Sequence, residues 1–318
     1  MTDRRRRARQ LGDSFDDVDR AALDEFQSRF GTPGFAPVVV IVAAYQEAAT
    51  IGPVLDALPD ESDGLRIDRL VVVDGGTDAT AAIALARGAY VCGCPTNRGQ
   101  GAALRLGYHL ARTRGARFIV TTDADGQYVA GELPRLLEPL LRDEADFVTG
   151  SRWLGSQEHA SLVRRVGSRV FARVTTALSG QQITDTSFGF RAMKAEVTAD
   201  LTLRQPQYQS AELLLEVLGH GYRVLEQPMT MQARRGGRSK KGSSLQFGVA
   251  YTRAVFTTWW RLRTSRKSPT GRSDRQSSST IRGPAREDHP IEQHELGDEQ
   301  KSGDRDERAV HQHDRGPV

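Results

Sequence analysis

The chain of 318 residues has two cysteines, Cys92 and Cys94, with one glycine between them. No third cysteine exists to build a thiolate metal site, and the spacing suits a disulfide poorly. Both read as small apolar residues in a reducing cytosol. Long apolar runs are missing too. No stretch approaches the roughly 20 residues that span a bilayer, and the basic run at 4–7 lacks the apolar region a signal peptide needs. That run reads as a solvated tail, not an arm for nucleic acid. Neither sign of charge dominates, since 44 Lys and Arg stand against 40 Asp and Glu, a formal net charge of +4. So mild an excess suits an anionic partner without choosing one. Apolar residues make up 38% and charged residues 26%, which fits one sizeable α/β core with polar tails. No internal repeat is visible.

What is present divides the chain into four parts. Residues 1–36 are polar, although Val18, Ala22, Phe26 and Phe30 are spaced for a helix that either caps the core or stays mobile. Pro33-Gly34 then breaks the chain. Residues 37–244 alternate strand and helix patterns. Residues 245–263 read as one helix mixing Phe247, Tyr251, Phe256, Trp259 and Trp260 with Arg253, Arg261 and Arg263. Residues 264–318 hold too few apolar groups to order themselves, and their histidines read as solvated.

Within 37–244, β-branched runs predict strands buried on both faces at 38–44, 70–73 and 118–120, as in parallel sheets. Helices are expected at 51–58, with Thr50 as cap, and at 79–87, 102–112 and 132–141. The alternation predicts a mainly parallel central sheet with helices on both faces. Ligands of such sheets sit at the carboxyl ends of the strands. Tyr45, Glu47, Asp74, Asp78, Asp123, Asp125 and Arg152 all fall at expected strand ends. Asp123-Ala124-Asp125-Gly126-Gln127 matters most. Two carboxylates just past a buried strand are costly unless a positive charge sits on them. A divalent ion shared with a diphosphate is the natural partner. The plainer reading of the same residues is an Asx turn.

Taken in order, these pieces resemble glycosyltransferase family 2, with its GT-A nucleotide-sugar fold. The resemblance is greatest to the dolichyl and polyprenyl phosphate sugar synthases. It rests on Val-Ala-Ala-Tyr-Gln-Glu47, Asp74-Gly-Gly-Thr-Asp78, Asn97-Arg-Gly-Gln-Gly101, Asp123-Ala-Asp125-Gly-Gln127, Gly150-Ser151-Arg152, Asp185 with Gly189-Phe190-Arg191-Ala192, Glu212-Leu-Leu and Arg238-Ser239-Lys240. It covers about residues 37–262. Two departures stand out: Val73 and Gly76 replace an aspartate and a serine, and Phe188 replaces a serine.

The resemblance implies an inverting transfer of a sugar from a nucleoside-diphosphate donor to a polyprenyl phosphate. Ala44, Tyr45, Glu47, Asp74, Asp123, Ala124 and Gln127 would bind the donor. Asp123, Asp125 and Arg152 would be catalytic, with Asp125 and Gln127 holding Mg²⁺ or Mn²⁺. Arg152, Arg164 and Ser168 would meet the acceptor phosphate, with Arg165 a substitute for Arg164. Arg238 and Lys240 lie in a basic loop, 234–241, that would close over the diphosphate. Asp185 and Arg191 would pair or support the site, and Glu212 would touch the sugar or back it. A hydroxyl acceptor would instead need a carboxylate base, Asp185 or Glu212. A sugar-nucleotide pyrophosphorylase is disfavoured, because its glycine-rich, Lys-containing signature does not follow the first strand. A nucleotide-sugar-binding regulator without turnover is disfavoured by the intact acidic and Arg152 motifs. The aromatic helix would attach the enzyme to the cytoplasmic face of a membrane.

Overall fold

The computed structural model describes residues 15–158, 162–207, 209–234 and 244–266, which belong to one compact unit. Helix α1 (Asp17–Phe30) comes first. Asp16 caps it, its carboxylate accepting from the Asp19 N–H at 2.8 Å while Asp19 returns the bond. Buried Ala22 and Phe26 turn inward, and Phe26, Phe30, Phe35 and Tyr90 pack ring against ring. The N-terminal helix therefore caps the core.

The chain continues through β1 (Val38–Ala44), α2 (Ile51–Ala57), β2 (Glu61–Ser62), β3 (Leu65–Asp74), α3 (Thr80–Leu85), β4 (Tyr90–Cys94), α4 (Gln100–Thr113) and β5 (Phe118–Asp123). Then follow α5 (Leu133–Leu141), β6 (Phe147–Gln157), α6 (Leu162–Ser179), β7 (Arg191–Lys194), α7 (Gln209–Gly219), β8 (Val224–Met231) and α8 (Ser244–Arg266). Thr50 holds the N-cap position of α2 but makes no capping bond; its hydroxyl donates to the Glu47 carboxylate at 2.9 Å.

The strands pair in the order β4-β3-β1-β5-β7-β6-β8, with β2 folded back on the start of β3. From β4 to β5 all are parallel, as is β6 to β8. The sheet is mainly parallel as the alternating pattern predicts, and β7 is the exception, antiparallel to both neighbours. The loop after α6 returns to the carboxyl rim, and Arg191 enters beside Thr121, so β7 must run downward. Alternate residues of β1 feed two core layers. Val39 and Ile41 join α1, α4 and α7, whereas Val38, Val40 and Val42 join α2, α3 and α5. This explains the unbroken apolar run of β1.

Helix α8 packs on α6 and α7 through Tyr251 and Val255. Its opposite side exposes Phe256 and Trp260, the latter 66% accessible. Arg263 lies over the Trp259 ring at 4.4 Å. Among the described residues no helix is long and apolar enough to cross a membrane. The expected loop residues Arg238 and Lys240, and nearly all of the expected tail, lie outside the described residues.

Candidate active site

The carboxyl ends of β3, β1 and β5 lie side by side, with Ala44 level with Val73 and Ala43 level with Asp123. This one rim collects the residues at 44–47, 74–78 and 123–127. The start of α3 holds the exit loop of β1. Thr80 Oγ1 accepts from the Glu47 N–H at 2.9 Å, and Asp78 Oδ2 accepts from the Ala48 N–H at 3.0 Å. Tyr45 is exposed on the rim, whereas Ala44 is buried.

Asp74 points elsewhere than a direct ligand contact would require. Its buried carboxylate accepts from the N–H groups of Arg98 at 3.0 Å and Gly99 at 2.6 Å. Burial raises its pKa against the opposing pull of those bonds. Asp74 thus fixes the loop at 97–99. Gly75 presses on the same loop: a Cβ there would lie 2.1 Å from Asn97 N, and its φ of +73° also favours glycine.

Asp123 and Asp125 sit at the end of β5 and just beyond. Gln100 Nε2 donates to Asp123 Oδ1 at 2.8 Å. Asp125 accepts from the Gln127 N–H at 3.1 Å and pairs with Arg234 at 2.9 Å. Burial pushes the Asp125 carboxyl up to about 6, helped by the charges of Asp123 and Glu47 and opposed by Arg234. Negative charge crowded into a buried place is where a divalent ion gains most. Among the described residues no three acidic, His or Cys side chains converge as a metal cage. The Asp125 carboxylate, with the Asp123 charge beside it, is oxygen chemistry of the kind a divalent ion shared with a diphosphate takes. Gln127 is anchored for such a task. Its Nε2 donates to the Gln232 carbonyl at 3.3 Å, and its own carbonyl accepts from the Gln232 N–H at 2.8 Å.

Arg152, on β6, lines the other side. Its Nε donates to Asp185 Oδ2 at 2.6 Å, its Nη2 to Ser187 Oγ at 3.1 Å, and its guanidinium lies 5.6 Å from the Phe188 ring centroid. Asp185 is fully buried, and Glu226 holds its loop by accepting from the Thr184 and Asp185 N–H groups at 2.8 Å. Tyr128 joins the two sides. Its hydroxyl accepts from the Gly189 N–H at 2.7 Å, its ring packs on Phe188, and it feels the charges of Asp123, Asp125 and Arg152 together. A Cβ on Gly189 would lie 3.1 Å from Asp123 Oδ2, so the segment at 188–189 brings the Arg152 side close to the acidic rim.

Several expectations need correcting. Arg191 does not pair with Asp185; it is fully buried and donates to the carbonyls of Ser210 at 3.0 Å and Thr186 at 3.2 Å. Glu212 has no exposed surface to offer a sugar. It is fully buried and accepts from the N–H groups of Arg204 and Gln205 and from Arg261. Ser168 Oγ donates to the Arg165 carbonyl of its own helix at 3.1 Å. Arg164 lies on α6, with its side chain outside the described residues. Gln100, Tyr128 and Glu226 escaped the sequence reading. Gln100 stood within a quoted motif, but nothing local marks Tyr128 or Glu226.

A mixed, mostly parallel sheet with an acidic turn at the end of a central strand is the GT-A glycosyltransferase architecture. The model of glycosyl transferase family 2 matches residues 39–202. The chain belongs to that family and is a glycosyltransferase. It is 34% identical over 202 residues to a dolichyl-phosphate hexose transferase of Haloferax volcanii, covering 64% of this chain and 86% of the relative. An undecaprenyl-phosphate mannosyltransferase of Micrococcus luteus is 29% identical over 240 residues, covering 71% and 94%. Among solved structures, glucosyl-3-phosphoglycerate synthase from Mycobacterium tuberculosis, in complex with Mn²⁺, UDP and glucosyl-3-phosphoglycerate, superposes with a TM-score of 0.56 at 22% identity, covering 76% of this chain and 82% of that one.

Proposed function

We propose that this enzyme transfers a hexose, with inversion, from a nucleoside-diphosphate sugar to a polyprenyl phosphate at a membrane surface. The observation that carries the choice of acceptor is the state of two carboxylates. A hydroxyl acceptor needs a general base, and the sequence offers Asp185 and Glu212. Both are fully buried and engaged, Asp185 by Arg152 and Glu212 by Arg261 and backbone N–H groups. A phosphate monoester needs no base, since its second pKa is about 6. It needs a cation to bring it to the anomeric carbon, and Arg152 is ready for that.

On this reading Tyr45, Glu47 and the Ala44 backbone receive the nucleoside, and Asp74 acts through the loop it braces. Asp123 and Ala124 meet ribose or sugar. Asp125 and Gln127 would hold Mg²⁺ or Mn²⁺, which screens the charge of the departing diphosphate. An acceptor phosphate oxygen bonds to the anomeric carbon as the bond from that carbon to the diphosphate oxygen breaks. The products are a sugar phosphoryl polyprenol and a nucleoside diphosphate. Arg152, Arg164 and Ser168 would grip the acceptor, and the basic loop with Arg238 and Lys240 would lie over the diphosphate. Exposed Phe256 and Trp260, with Arg253 and Arg263 nearby on α8, suit peripheral attachment at the cytoplasmic face. The names of the Haloferax and Micrococcus relatives support the lipid phosphate.

The test is a screen of GDP-mannose, UDP-glucose and UDP-N-acetylglucosamine against a short polyprenyl phosphate, with Mg²⁺, with Mn²⁺ and with chelator. One donor should give a lipid-linked sugar only when metal is present. No lipid product from any donor would refute the proposal.

A further inference from the structure

Helix α1 precedes the segment matched by the family, which begins at residue 39. It nevertheless reaches the rim of the cleft through one side chain. Arg98 Nη1 bonds both oxygens of Asp16 at 2.9 Å, and its Nη2 bonds Asp19 Oδ1 at 2.6 Å. The Asp19 arm of the contact is enclosed, with the Arg98 side chain 16% and the Asp19 side chain 4% accessible, whereas Asp16 is 60% accessible. The backbone of the same residue donates to Asp74. Two residues on, Gln100 donates to Asp123.

We propose that Arg98 is a positioning residue that makes helix α1 part of the donor site, an inference that rests on the donor reading of this rim. The loop at 97–99 hangs between two anchors. Asp74 holds its backbone, and α1 holds its one long side chain. On the far side, Gly101 donates to the Pro206 carbonyl at 2.8 Å. Gln100 sits between these ties, so its reach to Asp123 depends on them. Fork geometry matters here, because two separate guanidinium nitrogens of one side chain each serve a carboxylate, one on Asp16 and one on Asp19. Freeing the side chain returns mobility to the loop and blurs the place where Gln100 and Asp123 meet the donor. The chemistry at the anomeric carbon is left alone. The signature is a change in donor binding, not in turnover.

The test uses the full chain with Arg98→Gln, Arg98→Lys and Asp16→Asn. Asp16→Asn keeps a good helix cap and leaves the buried Asp19 bond, so it folds even if Arg98→Gln does not. UDP and GDP binding with Mn²⁺ is measured by calorimetry, alongside donor KM, acceptor KM, kcat and Tm. Arg98→Gln should raise nucleotide Kd and donor KM about tenfold, within the usual span of coupling between sites. Its kcat should stay within about twofold, with acceptor KM unchanged. Arg98→Lys and Asp16→Asn should fall between Arg98→Gln and the parent. If the parent binds neither nucleotide, the donor reading fails and takes this inference with it. If the parent binds and every variant binds equally while Tm falls, Arg98 is only a clasp for α1 and the inference is overturned.

Discussion

Arg152 and Asp185 meet through a 2.6 Å bond from Nε to Oδ2, and Asp185 has no exposed surface. A carboxylate so committed is poorly suited to take a proton from an acceptor. It holds a guanidinium in one orientation. Asp185→Asn keeps an oxygen able to accept from Nε, so transfer to polyprenyl phosphate should fall only about tenfold, the worth of weakening one charged hydrogen bond. Loss of a general base would lower kcat about 10²- to 10⁴-fold. Steady-state kinetics of the variant separates the two.

Asp125 is costly to the folded state once it is ionised. Its folded pKa, pushed up to about 6 chiefly by burial, exceeds the ordinary 3.8. Between those values the folded state binds more protons than the unfolded state, so metal-free stability from this group falls as pH rises. Asp125→Asn should therefore raise Tm by a few degrees at pH 7 without metal, while abolishing transfer. The stabilisation of the parent by Mn²⁺ should grow as pH passes 6, as read by thermal melts across pH 5–8.

Gly150 and Phe188 form a matched pair. A Cβ on Gly150 would lie 2.3 Å from Phe188 Cε1 and 2.7 Å from Met229 Cγ. Gly150→Ala alone should cost about 2 kcal/mol by overpacking. Phe188→Ser should cost about 3 kcal/mol by leaving a cavity. The double variant should be more stable than the sum predicts, which denaturant titration of all four proteins will show.

Acid stability should depend on Asp146. Hydrogen bonds from Arg223 and Lys194 hold its carboxyl well below the usual range, against a smaller effect of burial. Its folded pKa is lowered, so the stability it contributes is fully present above the unfolded value of about 3.9 and is lost as pH falls through the folded one. Asp146→Asn should lower Tm at pH 6 and flatten the decline of Tm between pH 4 and 2. An unchanged acid slope would contradict this.

Much of this cleft was legible in the sequence because its markers are local. A β-branched run that stops at a carboxylate announces a strand end, and β3 and β5 carry that mark, whereas β1 is marked by its unbroken apolar run alone. The rim followed from adjacency of those ends. Pairings between distant segments left no such mark. Arg191 looked like a partner for Asp185, six residues away, yet β7 enters the sheet antiparallel and turns Arg191 toward Ser210. Glu212 looked like a site carboxylate, yet it lies within an apolar run, Ala211 and Leu213 to Leu215, that buries it. Its partner Arg261 is 49 residues along the chain. Thr50 resembled a helix cap until the Glu47 carboxylate took its hydroxyl.

The most direct measurement offers a short polyprenyl phosphate and the matching free polyprenol to the enzyme in one vessel, with labelled donor and Mn²⁺. Label should appear on the phosphate alone, with a rate that follows acceptor ionisation near pH 6. Label on the free alcohol at a comparable rate would contradict the idea that Arg152 delivers an already ionised nucleophile.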